Sequence, residues 1–143
     1  MTFYEMLTLT HSAVSILFLA LALLSVAIAV MIAVKPAEDP GNQGLVKKAN
    51  IVSYIEISVA GLVALTGLTA MVLGGWPLSQ MWLWLSLVIL LFYSTILKRV
   101  TKPARMVVAV GGSEIKSGMQ VILHICHMLL IFVAYALMLL KPV

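Results

Sequence analysis

Four apolar runs dominate this chain: Ala13–Val34, Ile51–Leu73, Met81–Leu97 and Met119–Leu140. Each is long enough to cross roughly 30 Å of hydrocarbon at about 1.5 Å of rise per residue, the short third run drawing on its flanks. Only helices and closed barrels satisfy their backbone polar groups inside lipid, and runs of this length are helical. The sequence therefore predicts an all-α, integral membrane four-helix bundle, a single domain with helices over about 6–34, 49–74, 79–98 and 117–140. A content of 63% hydrophobic and 10% charged residues excludes an ordinary soluble domain.

The first run is too long for a signal peptide, lacks a basic stretch before it, and has Glu5 where such a peptide carries Lys or Arg, so it reads as retained. Eight of the nine Lys and Arg residues fall in the first loop (Lys35, Lys47, Lys48) and the third (Lys98, Arg99, Lys102, Arg105, Lys116), leaving only Lys141 on the other side. The positive-inside rule then places both loops in the cytoplasm and both termini outside, as expected of a multi-pass protein of a bacterial inner (plasma) membrane. The basic loops face anionic headgroups, which makes the lipid bilayer the partner of this charge, with no role for nucleic acid. Cys126 is the one cysteine, so there is no internal disulfide, no CxxC and no c-type haem attachment motif.

The loops carry no catalytic signature. KPAEDPGNQGLVKK reads as a short solvated connection. GGWPLSQMW is tight and uncharged, and Trp76, Trp82 and Trp84 suit an outer aromatic belt. KRVTKPARMVVAVGGSEIKSG leaves room for a short amphipathic or re-entrant piece, and GGSEIKSG lacks the spacing of a phosphate loop.

With about 3.6 residues per turn, small and polar residues share one face of each helix. His11, Ser15, Phe18, Ala22, Ser25 and Ala29 form the row on the first helix, and Ser53, Glu56, Ala60, Ala64 and Gly67 that on the second. Ser79, Trp82, Ser86 and Tyr93 share a side of the third, and Gln120, His124 and His127 a side of the fourth. Such rows face other helices, because lipid offers polar atoms no partner. By helical rise, Glu56, Tyr93, His124 and His127 all lie roughly 8–13 Å below the cytoplasmic surface, while His11 lies near the outer one.

An ionisable side chain inside a membrane is a functional-site hypothesis by default. The plainer alternative is a Glu56–histidine hydrogen bond that only joins two helices. Three chemistries fit the residues. Glu56, His124 and His127 make a divalent-metal ligand set. Haem b is the second tenant: His124 and His127 share a helix face and cannot both ligate one iron, so a bis-histidine haem needs His11 with one of them, and a five-coordinate haem needs only one. Proton transfer is the third, through Glu56, His124, His127, Tyr54 and Tyr93, with Gln120 on the same seam. No triad stands behind Cys126 or a serine.

The stretches LTLTHSAVSILFLALAL, ISVAGLVALTGLTAMVLGGWPL and WLWLSLVILLFYSTILKRVTKPAR, with the terminal LMLLKPV, resemble the small four-helix bacterial membrane families that include HemJ-type protoporphyrinogen oxidase, SirB-type proteins and CopD-like domains. The resemblance implies haem binding by the early histidine, here His11. Where HemJ-type proteins have a basic residue inside the third helix, this chain has the neutral WLSL around Ser86.

The expectation from these readings is a haem-associated or redox-linked membrane protein acting within a respiratory or biosynthetic complex, whether or not as an enzyme. The alternatives are a non-catalytic accessory subunit docked to other membrane subunits or to copies of itself, and a metal-ion or proton transporter.

Overall fold

The computed structural model describes residues 1–36, 39–99 and 117–140. They form four helices: α1 (Phe3–Val34), α2 (Gly41–Leu73), α3 (Met81–Arg99) and α4 (Ser117–Leu140), each long and apolar enough to cross a membrane. The protein is an all-α four-helix bundle of the multi-pass membrane type. Residues 100–116, with Lys102, Arg105 and Lys116, and Lys141 lie outside the described residues, as does the expected amphipathic or re-entrant piece of the third loop.

α1 begins earlier than expected because Thr2 and Glu5 form a capping box. Glu5 Oε2 accepts from the Thr2 amide at 2.7 Å, and Thr2 Oγ1 accepts from the Glu5 amide at 3.3 Å. Glu5 is thus a helix-start residue. α2 also starts early, at Gly41 rather than near 49. Pro40 already has helical φ and ψ, as suits proline at a helix start, and Asp39 Oδ1 accepts from the Gly41 amide at 2.7 Å. Asn42 ties the hairpin together by donating from Nδ2 to the Pro36 carbonyl at 2.9 Å.

α2 ends in a Schellman motif. Gly75 adopts φ of 64°, its amide bonds the Val72 carbonyl, and the Trp76 amide reaches back to the Met71 carbonyl at 3.1 Å. The chain then turns through Pro77 into α3.

α1 packs along both α2 and α4, and α3 closes the bundle against α4 and, through its own middle, against α2. The core is Phe18, Ala22, Val59, Ala60, Val63 and Ile131. Alanines at the α1–α2 contact let the backbones approach closely, which is how helices associate when lipid competes for every apolar contact. Many large apolar side chains face outward instead: Leu17, Leu24, Leu65, Phe92 and Leu129 are all exposed. Polar and small inside with bulky and apolar outside is the pattern of a protein solvated by acyl chains, and lipid bilayer is the partner it fits.

On α1 and α2 the buried faces are the ones the 3.6-residue period selects: Ser15, Phe18, Ala22, Ser25 and Ala29, and Ser53, Glu56, Ala60 and Ala64. On α3 the register differs. Ile89–Tyr93 is a π-helical turn, and the buried residues are Ile89, Ser94 and Leu97, while Ser79 is exposed. One extra residue in a turn rotates everything after it.

Candidate functional sites: an intramembrane polar centre and a cleft

The four helices hold two polar features, one toward each end of the bundle. The first sits toward the end that carries Lys98. His127 is 2% exposed and Glu56 6% exposed, and both line a small cavity of about 10 Å³ together with Ser53, Ser94, Lys98 and the half-buried His124. That volume holds one water molecule at most. The acid of α2 and the two imidazoles of α4 therefore do meet at one level inside the bundle.

His127 is the most constrained of them. Its Nε2 shares a 3.0 Å hydrogen bond with Ser94 Oγ, and Tyr93 stacks on its ring at 5.5 Å between centroids and 14° between planes. Phe18 meets the same ring edge-on at 5.9 Å. Tyr93 is itself anchored by donating from its hydroxyl to the Leu123 carbonyl at 3.3 Å. The π turn makes this arrangement: it ends at Tyr93, so that both Tyr93 and the next residue, Ser94, meet one imidazole. His127 Nδ1 is buried and has no hydrogen-bond partner among the described residues.

Other residues expected in this centre lie elsewhere. Tyr54 is 63% exposed, and its ring lies under the Lys98 ammonium at 4.0 Å, so it is an outward cation–π partner and not part of an internal relay. It sits two residues from Glu56, more than half a turn round the helix. Gln120 is half-buried one turn before His124 and does not line the cavity. Cys126 is exposed. Among the described residues no group of three or more His, Cys, Asp or Glu is placed to hold a metal ion. The expected ligand set of Glu56, His124 and His127 shares a cavity but is not a coordination shell, since Ser94 already occupies Nε2 of His127. The same bond, and a cavity of about 10 Å³, leave no open ligand position on His127 Nε2 in this packing.

The second feature is a half-open cleft of about 250 Å³ at the end where the N-terminus and the α2–α3 turn lie. All four helices line it. Phe18 forms part of its wall while packing against His127, so the two features are back to back. His11 stands in this cleft, apart from the α4 histidines as its position in α1 implies, and no bis-histidine pair is formed. Its Nδ1 lies 2.9 Å from Thr66 Oγ1, and its ring lies over Gly67, where a Cβ would come within 2.9 Å of Cε1. Thr66 is a residue that sequence reading passed over. The signal was there in the Thr-Gly pair: a hydroxyl beside a notch, facing an early histidine.

Trp76 and Trp82 pack edge to face at 6.2 Å beside the cleft, and Trp76 Nε1 donates to the Tyr4 hydroxyl at 3.4 Å. The belt residues thus build a wall as well as marking an interface. At about 250 Å³ the cleft is below the roughly 300–1,000 Å³ of pockets that enclose drug-sized ligands. Among the described residues its lining holds no Lys or Arg to meet a carboxylate.

No protein family, curated protein or solved structure matches this chain.

Proposed function

We propose that this chain is a redox-linked protein of the bacterial inner membrane, with both termini outside, that holds a lipophilic, ring-bearing cofactor in the His11 cleft and works beside other membrane subunits. The supporting observation is the cleft: four helices contribute mostly apolar walls and a few convergent polar groups, the build of a small-molecule site. Thr66 holds the His11 ring in one orientation, the kind of support that fixes a ligand-binding imidazole. The test is chemical analysis of full-length protein purified in mild detergent. A ring compound present in stoichiometric amount in the organic extract, and lost in His11→Leu, is the expected result. An extract without one, from protein that also takes none up from added membrane lipid, overturns the reading. A Soret band would restore haem.

A second reading belongs to the other polar centre. Proton holding by Glu56, His124 and His127 is favoured by the unpartnered Nδ1 of His127 beside a one-water cavity. Difference infrared spectra across pH are expected to show a carboxyl band that vanishes in Glu56→Gln and shifts in His127→Phe. A band identical in all three proteins excludes it.

A further inference from the structure

We infer that the cleft opens sideways into the bilayer, through a window between the halves of α2 and α3 nearest their connecting turn, so that its ligand enters from the hydrocarbon and not from the water beyond the turn. The inference rests on the reading of the cleft as a ligand site and adds the route to it.

Three sides of the bundle are packed at this level. α1 runs along α2 and along α4, and Met81–Val88 of α3 lies on α4. On the fourth side the α3 backbone comes close to α2 at the π turn, Ile89–Tyr93. Exposure along α2 marks the same parting. Ile57 and Leu68 stand eleven residues apart, about three turns, on one side of α2. Ile57 is half-buried where that side borders the small cavity with Ser94 and Leu97 of α3. Leu68 lines the cleft yet is 37% exposed, and Val72, one turn further, is 70% exposed. The side of α2 that faces α3 toward the basic end is therefore uncovered toward the connecting turn.

The end of the cleft that faces water is capped instead. Trp76 Nε1 donates to the Tyr4 hydroxyl, and Trp82 meets Trp76 edge-on. A Cβ at Gly74 would come within 2.6 Å of the Trp76 ring and 2.9 Å of the Tyr4 hydroxyl. These contacts tie the first turn of α1 to the α2–α3 turn with no room for a methyl group.

The rim of the window is leucine on both sides: Leu68 on α2, and Leu83 and Leu87, one turn apart, on α3. Helical rise places Leu68 and Leu87 roughly 8 and 9 Å inside the ends of their helices, beneath the tryptophan belt and within the hydrocarbon. A neutral, lipophilic molecule passes such a rim without leaving the membrane, whereas an ion would shed its hydration there. Among the described residues the lining carries no Lys, Arg, Asp or Glu to replace that hydration.

The experiment is tryptophan quenching of the full chain in lipid vesicles. Trp82 lines the cleft and Trp84 faces outward, 52% exposed, so the work is done in Trp84→Phe, and subtracting the signal of the same protein with Trp82→Phe isolates Trp82. Lipids brominated along their acyl chains should remove most of the Trp82 emission, and iodide in the water should leave it unchanged. Leu68→Cys with Leu87→Cys, bridged by a bifunctional thiol reagent in detergent before reconstitution and in a Cys126→Ser background, should cut the bromine quenching several-fold. Iodide quenching overturns the window and leaves a ligand site entered from water; quenching by neither agent overturns it as well. Bromine quenching that the bridge does not change, or positions 68 and 87 that neither short nor long bridges join, means that the gap is not between these helices and also overturns it. Quenching as expected in a protein whose organic extract holds no ring compound leaves the window standing and overturns only the ligand reading.

Discussion

Two side chains show how closely each polar feature is fitted. The His11 ring occupies the space that a Cβ at position 67 would need, 2.9 Å from Cε1. Gly67→Ala must push the ring off Thr66, and small-to-large changes of this kind cost about 1–3 kcal/mol. A lowered midpoint in thermal unfolding in detergent, with loss of any cleft ligand, is the expected outcome; an unchanged midpoint with ligand retained means that the ring moves freely and Thr66 does not hold it. In the other centre, Ser94→Ala leaves a histidine that is 2% exposed with no partner on Nε2, a loss of about 1–3 kcal/mol. Adding His127→Phe removes the stranded polar ring and should recover most of that loss, because two apolar partners need no hydrogen bond. If the double variant is instead the least stable of the three, the imidazole contributes through its stacking on Tyr93 and Phe18, and the Ser94 bond is incidental.

The π turn of α3 is the element that the sequence did not disclose. Ser86 to Tyr93 keeps an α-helical spacing on paper, and the aliphatic run around Ile89 contains no Gly or Pro to mark a break. The actual buried steps run from Ile89 to Ser94, five residues, and on to Leu97. Deleting Leu91, an outward-facing residue, removes the extra residue, so the turn should return to α geometry with Ser94 still facing His127. Ser94→Ala should then cost about as much in that background as in the unmodified chain. No additional loss would mean that the deletion has swung Ser94 off the ring. Elsewhere the periodic signal served well. On α1 and α2 the rows containing Phe18, Ala22, Glu56 and Ala60 are the buried ones, because an uninterrupted α-helix keeps its phase over its whole length. Tyr54 was misplaced by residue type: an aromatic hydroxyl near Glu56 invites a relay, but only its angle round the helix decides where it points, and that angle leads to Lys98. Gly41 read as part of a loop because glycine breaks helices, whereas Asp39 and Pro40 turn the same position into a helix start. The cleft was illegible for a different reason. His11, Thr66 and Trp82 come from three helices, and no pattern within one helix reports how three of them converge.

At the scale of the molecule the two polar features divide the bundle along its length, the cleft at the end bearing the N-terminus and the Glu56–His127 centre toward the basic end. Phe18, 1% exposed, packs between them. The orientation of this axis decides which face of the membrane each feature serves. Lys35, Lys47, Lys48, Lys98 and Arg99 all belong to the end of the bundle opposite the N-terminus, and translocating that many cations is what the positive-inside rule disfavours. Four spans return the chain to the side on which it began, so one measurement fixes both termini. An alkaline phosphatase fused after Val143 should be active and a green fluorescent protein at the same point dark, because the first folds only outside the cytoplasm and the second only within it. Replacing Lys47, Lys48, Lys98 and Arg99 together by Gln should raise the fraction of molecules inserted the other way, seen as fluorescence appearing while phosphatase activity falls. The opposite pattern in the unmodified chain would place the His11 cleft against the cytoplasmic leaflet and the Glu56 centre toward the outside. Ligand would then reach the cleft, and protons the centre, from the opposite sides of the membrane.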